Sequence, residues 1–369
     1  MMAETKADVQ TEEGLGQNAS SIAAALESWY PSHARDLPWR RDQDPYRVWV
    51  SEIMLQQTRV EAVIPYYLRF MDTLPTVEAL AHADEETLLK LWEGLGYYSR
   101  VRNLQKAARQ ILEHFQGKVP GTYEDLCSLT GIGDYTAGAV ASIAFEKPVP
   151  AVDGNVLRVL ARLLACPEDI ANTQVKKKFR RWAQQLMDHC HSPSVLTQSL
   201  MELGATVCLP NTVPRCAECP VQEFCLAKAQ ANPTAYPFKS GKKPRRVEKK
   251  TVFLLVAQDR VLLHKRPDKG LLAGLWEFPN ESGWAGEDSR LFHEFLEELE
   301  VNPLQVEQLP QAKHIFSHVE WQMQGLLVRC TFSPAREGYV WANSLELDQA
   351  YAVPGAFQAY RGALKSVLP

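Results

Sequence analysis

The chain has 369 residues, of which 46% are hydrophobic and 23% charged, and its formal net charge is −4 at pH 7. This length exceeds a single typical core, so two globular domains are expected, and the hydrophobic fraction excludes general disorder. The net acidity argues only weakly against nucleic acid as a partner, because binding depends on where the charges lie. Two basic clusters occur, and each alone indicates a solvated face or a linker. They comprise Lys176, Lys177, Lys178, Arg180 and Arg181, and then Lys239, Lys242, Lys243, Arg245, Arg246, Lys249 and Lys250.

Residues 1–19 are predicted to be a disordered N-terminal extension. They are polar and acidic, and they contain no apolar run that resembles a secretion signal. Later apolar runs, such as residues 252–257, are too short to span a bilayer. We therefore expect a cytoplasmic protein.

From about residue 20 to 227 the pattern is helical, with apolar residues at steps of three and four. Helices are predicted over residues 46–59 and over residues 155–165, where Val156 and Leu160 share one stripe. Another helix opens at Ser99, which is a suitable N-cap. Its apolar face comprises Val101, Leu104, Ala108, Ile111, Leu112 and Phe115, and its polar face Arg100, Arg102, Lys106 and Arg109. Residues 20–227 are therefore predicted to form an all-α domain.

The segment LTGIGDYTAGAV, which begins at Leu129, predicts a tight turn between two helices. Gly131 and Gly133 allow the positive φ values of a hairpin, and a helix beginning near Asp134 would direct unpaired N–H groups away from the turn. Such a helix start suits a phosphate. Eighteen residues after Tyr135 comes Asp153 of AVDGNV, which alone indicates a helix N-cap. The glycines alone would indicate an ordinary helix-turn-helix connection.

Four of the eight cysteines fall within eighteen residues, and the other four are scattered. The clustered residues are Cys208, Cys216, Cys219 and Cys225, separated by seven, two and five residues. Such clustering suggests a metal site in a reducing compartment. Four thiolates can hold either a tetrahedral zinc ion or a 4Fe-4S cluster, and the spacing leaves both open.

The composition changes after Ala227. Residues 228–248 are polar and basic, and we predict that they form a linker to a second domain over residues 249–369. In that domain TVFLLVA and DRVLLHKR predict a pair of β-strands, HEFLEELEV a helix, and VEWQMQGLLVRCTF a strand region. The second domain is therefore expected to be α+β.

Several motifs occur in a fixed order from about residue 20 to the end of the chain. They are LPWRRDQDPYRVWVSEIMLQQTRVE, WEGLGYYSR, LTGIGDYTAGAV, PAVDGNV, the four clustered cysteines and a C-terminal FSH. With these motifs the chain resembles the helix-hairpin-helix DNA glycosylases of the endonuclease III superfamily, and within it the MutY family. The resemblance implies a 4Fe-4S cluster held by Cys208, Cys216, Cys219 and Cys225. The seven residues between the first two cysteines exceed by one the number usual in the family.

The activity that the resemblance implies is hydrolysis of the N-glycosidic bond of adenine mispaired with 8-oxoguanine, or with guanine, in double-stranded DNA. The enzyme would flip the adenine out of the helical stack and act as a monomer, near the nucleoid if the organism is bacterial. Glu52 borders an apolar helix face, so burial would raise its pKa and let it protonate the base. Asp153 would stabilise the cationic sugar or attack it transiently, like the second carboxylate of glycosidases.

Further site residues follow from the same resemblance. Tyr135 occupies the position at which bifunctional members carry a Schiff-base lysine, so the strand should stay intact, and Asn155 would help to hold the geometry. The expected DNA-contacting residues are the wedges Gln57 and Tyr97, the hairpin residues Gly131 and Gly133, the pocket residues Arg35 and Trp39, and the 8-oxoguanine readers Phe316, Ser317 and His318.

The second domain resembles a Nudix fold with an incomplete Nudix box. His293 and Glu300 stand where the box needs Arg and Gly, and Pro279 and Ala285 stand where its upstream Gly and Glu belong. Glu294, Glu297 and Glu298 remain. Diphosphate hydrolysis is therefore not expected. The alternatives are a thymine or uracil mismatch glycosylase of the same superfamily, a Nudix-type nucleotide hydrolase, and a non-catalytic DNA-binding iron-sulfur protein.

Overall fold

The computed structural model describes residues 15–241 and 244–368. The chain divides into two compact units. The helical unit contains the chain up to His82 together with Arg102–Gly241, and the C-terminal unit contains Ala83–Val101 together with the chain from residue 244 onwards. The expected division at a linker over residues 228–248 therefore differs from the structure in one segment, residues 83–101. Within the C-terminal unit, the Glu93 carboxylate accepts hydrogen bonds from the Val353 amide and the Arg361 guanidinium, a pairing that sequence pattern does not reveal.

The N-terminal extension ends earlier than expected. Leu15 is 5% exposed, residues Gly16–Asn18 form a 3-10 helix, and the first α-helix starts at Ala19. The Leu15 amide donates to the side chain of Gln185 at 2.9 Å, and Leu15 and Ala19 belong to the helical core. The remainder of the predicted disordered extension, residues 1–14, lies outside the described residues.

The helices before residue 241 follow in chain order. They are α1 (Ala19–His33), α2 (Pro45–Leu55), α3 (Val60–Thr73), α4 (Val77–His82), α5 (Glu85–Leu91), α6 (Ser99–Phe115), α7 (Tyr123–Ser128), α8 (Asp134–Phe145), α9 (Gly154–Leu163), α10 (Thr173–Met187), α11 (Pro193–Thr206) and α12 (Leu226–Ala229). The all-α expectation is confirmed. Helix α2 ends before the expected residue 59, since Gln57 adopts a positive φ of 59°. The predicted linker begins inside α12 and continues into a 3-10 helix over Pro233–Ala235.

Local chemistry explains where these helices begin. The Asp44 carboxylate caps α2 by accepting from the Arg47 amide, and Pro45 at the first position needs no intrahelical partner. Asn172 caps α10 in the same way. The buried stripe of α9 includes Val156 and Leu160, as the helical spacing predicts, and it packs into one core with α1, α10 and α11. This core holds the start of α9 in place, and Asp153 lies there.

The C-terminal unit is built on a sheet. Its strands are β1 (Arg246–Ala257), β2 (Arg260–Lys265), β3 (Trp276–Glu277), β4 (Asn280–Ser282), β5 (Pro303–Ile315), β6 (Val319–Cys330) and β7 (Tyr339–Ala342), and its later helices are α13 (Arg290–Glu298), α14 (Ser344–Gln349) and α15 (Gln358–Leu364). The strand order is β3-β2-β1-β6-β5, with β4 beside β1 and β7 beside β2. Strand β1 pairs antiparallel with β2, as expected, and parallel with β6.

Both faces of this sheet are covered by apolar side chains. Val252 and Leu254 of β1 face a cluster that contains Tyr360 of α15, whereas Phe253 faces a cluster that contains Phe292 of α13. Burial on both faces explains why TVFLLVA is continuously apolar instead of alternating. The α+β expectation is confirmed. Within the described ranges, no helix has the length and apolarity needed to cross a membrane.

Candidate active site

Four candidate catalytic residues that lie far apart in the sequence line one cavity of the helical unit. The cavity has a volume of about 840 Å³, and Glu52, Tyr135, Asp153 and Asn155 all contribute to its wall. The candidate DNA-contacting residues on the same wall are Arg35, Trp39, Gln57 and Gly133. The structure therefore brings together helix α2, the hairpin and the start of α9 around one concave site.

Glu52 lies on α2 and is only 5% exposed. The Tyr135 hydroxyl donates to its Oε2 atom at 2.5 Å. Burial raises the pKa of Glu52 from 4.5 to about 7, and the negative charge of Asp153 acts in the same direction. The hydrogen bond from Tyr135 and the charge of Arg40 oppose this rise. Glu52 can therefore hold a proton near neutral pH, which an exposed glutamate does not.

Tyr135 lies in the first turn of α8, directly after the hairpin. Burial raises the pKa of its phenol well above the ordinary value, and the nearby carboxylates Glu52 and Asp153 add to the rise. The phenol therefore remains protonated and acts as a fixed donor to Glu52. A phenol has no amine with which to form a Schiff base.

Asp153 caps helix α9 and also lines the cavity. As the N-cap of α9, its Oδ1 accepts from the Val156 amide at 2.7 Å, and its Oδ2 accepts from Asn155 Nδ2 at 2.8 Å. Burial raises its pKa, while these hydrogen bonds and the charge of Arg158 act against the rise. The carboxylate thus lies in the cavity wall with its orientation fixed by the helix start.

The Asn155 amide is oriented by a second set of contacts. Its Oδ1 accepts from Arg158 Nη2 at 2.9 Å, which leaves its amide nitrogen facing Asp153. Gly204 of α11 allows a close approach here, because a Cβ at that position would lie 2.5 Å from Asn155 Cβ. A larger residue at 204 would displace Asn155 and with it the Asp153 carboxylate.

A buried ion-pair group also borders the cavity, and sequence reasoning found only part of it. Glu202 has a fully buried carboxylate that accepts from Arg35 Nε and from Arg40 Nη2, both at 2.7 Å. Although burial opposes it, the hydrogen bonds and charges of Arg35 and Arg40 lower the pKa of Glu202. Trp39 between the two arginines is 6% exposed. Glu202 lies among apolar residues of α11, and no sequence pattern indicated it. Arg40 could have been predicted, because it is adjacent to the candidate pocket residue Trp39.

The hairpin before α8 has one glycine with a positive φ where two were expected. Gly131 adopts a φ of +80°, and a Cβ there would lie 2.7 Å from Asn103 Cβ. Gly133 has a φ of −103°, so the expectation of a positive φ is wrong for this residue. It is the N-cap of α8 and makes no side-chain capping bond, and the space around its missing Cβ is open. Gly133 therefore leaves the helix start uncovered, so that a ligand can approach the backbone.

Both candidate wedge residues adopt a left-handed backbone. The φ angle is 59° at Gln57 of the helical unit and 49° at Tyr97 of the C-terminal unit. For residues with a Cβ this conformation is unfavourable, and strained positions of this kind cluster at functional sites. The Tyr97 side chain is 46% exposed. In the same unit, Arg100 donates to the carbonyl oxygens of Leu95 and Gly96 at 3.0 Å and so supports the turn.

The FSH segment lies at the turn between β5 and β6. Phe316 packs edge-on against Trp321 of β6 with ring centroids 4.9 Å apart, and this contact supports the turn. The Ser317 hydroxyl lies 2.7 Å from the Tyr97 hydroxyl within the C-terminal unit. Arg245 Nε donates to the Phe316 carbonyl at 3.1 Å. Two candidate DNA-contacting residues separated by 220 positions are therefore hydrogen-bonded, which the sequence did not predict.

The four clustered cysteines surround a second, smaller cavity of about 30 Å³. Arg162 of α9 donates to Cys208 Sγ at 3.2 Å, and Arg158 donates to the Cys208 carbonyl at 2.8 Å. The extra residue between Cys208 and Cys216 falls in a loop where Asn211 has a φ of 55°. The loop closes through the Arg215 amide, which donates to the Val207 carbonyl at 3.0 Å. With this extra residue in the loop, the four cysteines still line one cavity.

The remaining Nudix-box carboxylates, Glu294, Glu297 and Glu298, are exposed residues of α13. Glu294 pairs with Arg290 on the surface of α13, and Ala285 is buried in the core. Across residues 15–241 and 244–368, no three His, Cys, Asp or Glu side chains are arranged to hold a single metal ion.

Known proteins resemble the chain in both units. One family model, HhH-GPD superfamily base excision DNA repair protein, matches residues 50–185, and another, NUDIX domain, matches residues 251–361. The chain is 36% identical to the adenine DNA glycosylase of Homo sapiens over 93% of this chain and 74% of that one. It is 33% identical to the adenine DNA glycosylase of Buchnera aphidicola subsp. Schizaphis graminum over 83% of this chain and 86% of that one. Among solved structures it resembles a thermostable thymine-DNA glycosylase, with 23% identity, a TM-score of 0.49, and coverage of 58% of this chain and 98% of that one.

Proposed function

The chain belongs to the adenine DNA glycosylase family, and we propose that it acts as a monomer on adenine mispaired with 8-oxoguanine, or with guanine, in duplex DNA. The family membership makes it a DNA-binding base excision enzyme and confirms the resemblance to the MutY family. The thymine and uracil alternative is disfavoured because the relatives that match nearly the whole chain are adenine glycosylases.

The observation that carries the proposal is the pairing of a protonatable Glu52 with Asp153 in one cavity. With a pKa of about 7, Glu52 carries a proton in about half of the molecules at neutral pH and can donate it to a ring nitrogen of adenine. Protonation makes the base a better leaving group. Asp153 remains beside the sugar as positive charge develops there, and it stabilises that charge or bonds to it transiently before water completes the hydrolysis.

The hydrogen bonds around the two carboxylates keep their roles apart. Tyr135 holds the Glu52 carboxyl by one oxygen and leaves the other oxygen to carry the proton. Asn155 and the Val156 amide stabilise the charged form of Asp153. Since Tyr135 cannot form a Schiff base, the product is an abasic site in an unbroken strand.

We assign the grip on DNA to the hairpin and the wedges. The open backbone at Gly133 and the start of α8 would receive a phosphate. Gln57 of the helical unit and Tyr97 of the C-terminal unit are the proposed wedge residues. Arg35 and Trp39 support the adenine pocket, and Phe316, Ser317 and His318 are the proposed readers of 8-oxoguanine.

We assign a 4Fe-4S cluster to Cys208, Cys216, Cys219 and Cys225. The four thiols face one cavity, and Arg162 supplies a cationic donor to a thiolate at Cys208. Four thiolates can hold either a zinc ion or a 4Fe-4S cluster, and the resemblance to the MutY family favours the cluster. When bound, the cluster would cross-link the chain between α11 and α12.

The test is single-turnover release of base from duplexes with adenine opposite 8-oxoguanine, adenine opposite guanine, and thymine opposite guanine. Adenine release from the first two, with strand cleavage only after alkali, supports the proposal. Release of thymine alone, or efficient borohydride trapping of enzyme on DNA, contradicts it. Glu52→Gln and Asp153→Asn should nearly abolish release while DNA affinity stays within a few fold, whereas Glu78→Gln, on the exposed face of α4, should behave as wild type.

A further inference from the structure

Helix α10 carries five cationic side chains, among them Lys176, Lys177, Lys178 and Arg180. Lys178 is paired with Glu168 at 3.1 Å and lies over the Trp182 ring. Lys176 and Lys177 are exposed, and neither forms an ion pair with a carboxylate within residues 15–241 and 244–368. Their charges are therefore available to a ligand.

These lysines belong to the wall of the active-site cavity. Lys176, Lys177 and Arg180 line the same 840 Å³ cavity as Glu52 and Asp153. The amino end of α10 is already capped by Asn172, which accepts from the Gln174 amide at 2.8 Å, so the cationic side chains supply the attraction for an anion. A nucleotide whose base enters this cavity brings its two flanking phosphates to the rim.

Arg180 removes a local obstacle to an anion. Its guanidinium lies 3.3 Å from the carboxylate of Asp134, which is the first residue of α8, and it also covers the Tyr123 ring. Unpaired, the 80% exposed Asp134 side chain would repel a phosphate from the hairpin. With Asp134 neutralised, Lys176 and Lys177 present net positive charge beside the open backbone of Gly133.

We propose that Lys176 and Lys177 bind the phosphates on either side of the extruded adenosine, on the adenine-bearing strand. This inference rests on the proposed function, because it requires that the cavity receive a flipped nucleotide. It extends the DNA-binding surface from the hairpin to α10 and gives the basic cluster at residues 176–181 a defined ligand.

The first experiment measures affinity as a function of salt for a duplex with hydrolysis-resistant 2′-fluoro-2′-deoxyadenosine opposite 8-oxoguanine. Each phosphate contact contributes about 0.9 to the slope of log K against log salt, so Lys176→Gln/Lys177→Gln should lower the slope by about 1.8. Between about 50 and 200 mM salt, the double variant should then lose about 12-fold less affinity than wild type. The control Lys118→Gln/Lys147→Gln changes two exposed lysines outside the cavity wall and should keep the wild-type slope.

The second experiment locates the contact. Methylphosphonate is placed singly at the phosphate 5′ or 3′ of the adenosine, and the affinity of both proteins is measured. Wild type should bind the methylphosphonate duplexes severalfold more weakly than the unmodified duplex, at one or both positions. The double variant should bind the modified and unmodified duplexes with nearly the same affinity. An unchanged salt slope, or the same fold-loss in both proteins at both positions, overturns the proposal.

Failure of the proposed function would look different. If the proposed function is wrong, wild type itself releases no adenine from a duplex with adenine opposite 8-oxoguanine. If the proposal holds, wild type releases adenine, and the double variant needs a higher concentration than wild type for half-maximal release, whereas the control Lys118→Gln/Lys147→Gln keeps the wild-type dependence. A large rate loss with unchanged binding would also overturn it.

Discussion

Glu52 should destabilise the protein at alkaline pH, and its removal should therefore raise stability while abolishing catalysis. The folded protein holds Glu52 at a pKa of about 7, against 4.5 for the ordinary group, chiefly because of burial. A carboxyl whose pKa is raised on folding stabilises the folded state fully below the unfolded pKa. That stabilisation is lost as pH rises through the folded pKa, because ionisation becomes easier in the unfolded chain.

The magnitude follows from the two pKa values. A difference of about 2.5 corresponds to about 3 kcal/mol at 1.36 kcal/mol for each pKa unit, lost over the range from about pH 4.5 to above pH 7. Glu52→Gln keeps the shape and an oxygen that can accept from Tyr135, but it cannot ionise. At pH 8.5 the variant should therefore be more stable than wild type by up to about 3 kcal/mol, and below about pH 4.5 the difference should vanish.

The assay is thermal unfolding of the cluster-loaded proteins at pH 5 and pH 8.5. For a unit of about 200 residues, each kcal/mol moves Tm by about 2–4 °C, so Glu52→Gln should melt on the order of 10 °C above wild type at pH 8.5 and only slightly above it at pH 5. Glu78→Gln is the control, since its carboxylate lies on an exposed helix face and should give the same small difference at both pH values. Equal or lower melting of Glu52→Gln at pH 8.5 would refute the reasoning.

Three further predictions test other parts of the site. The single-turnover rate should fall as pH rises through about 7. Tyr135→Phe should move this fall to higher pH, because it removes a hydrogen bond that lowers the pKa of Glu52. A pH profile of Tyr135→Phe that is unmoved or shifted to lower pH would contradict the assignment. Gly131→Ala should lower the free energy of unfolding by about 1–3 kcal/mol, because Gly131 has a positive φ and lies against the Asn103 side chain, and it should weaken DNA binding. Gly133→Ala should have the Tm of wild type. Equal Tm values for the two variants would contradict this interpretation of the hairpin. Cys216→Ser should lose iron and visible absorbance, while Cys127→Ser should retain both, and iron retained at the wild-type ratio in Cys216→Ser would exclude the assigned ligand set.

The local patterns of the chain were enough to predict its elements and much of its chemistry. Apolar spacing predicts the helices and the β1–β2 pair, because each depends on neighbours within a few residues. The motifs that contain Glu52, Tyr135 and Asp153 indicate the candidate catalytic residues from the sequence alone. The spacing of the cysteines likewise indicates a metal site. Membership of the adenine DNA glycosylase family, which the resemblance implied, is confirmed by relatives that match most of the chain.

Tertiary structure alone decided the features that depend on partners distant in sequence. The pKa of Glu52 is set by desolvation and by Tyr135, 83 positions away, and Glu202 meets Arg35 across 167 positions. The placement of residues 83–101 with the C-terminal unit likewise depends on partners distant in sequence, such as Val353 and Arg361 for Glu93. The physical reason is that local pattern sets which face of an element is apolar, whereas desolvation and ion pairing depend on which surfaces finally meet.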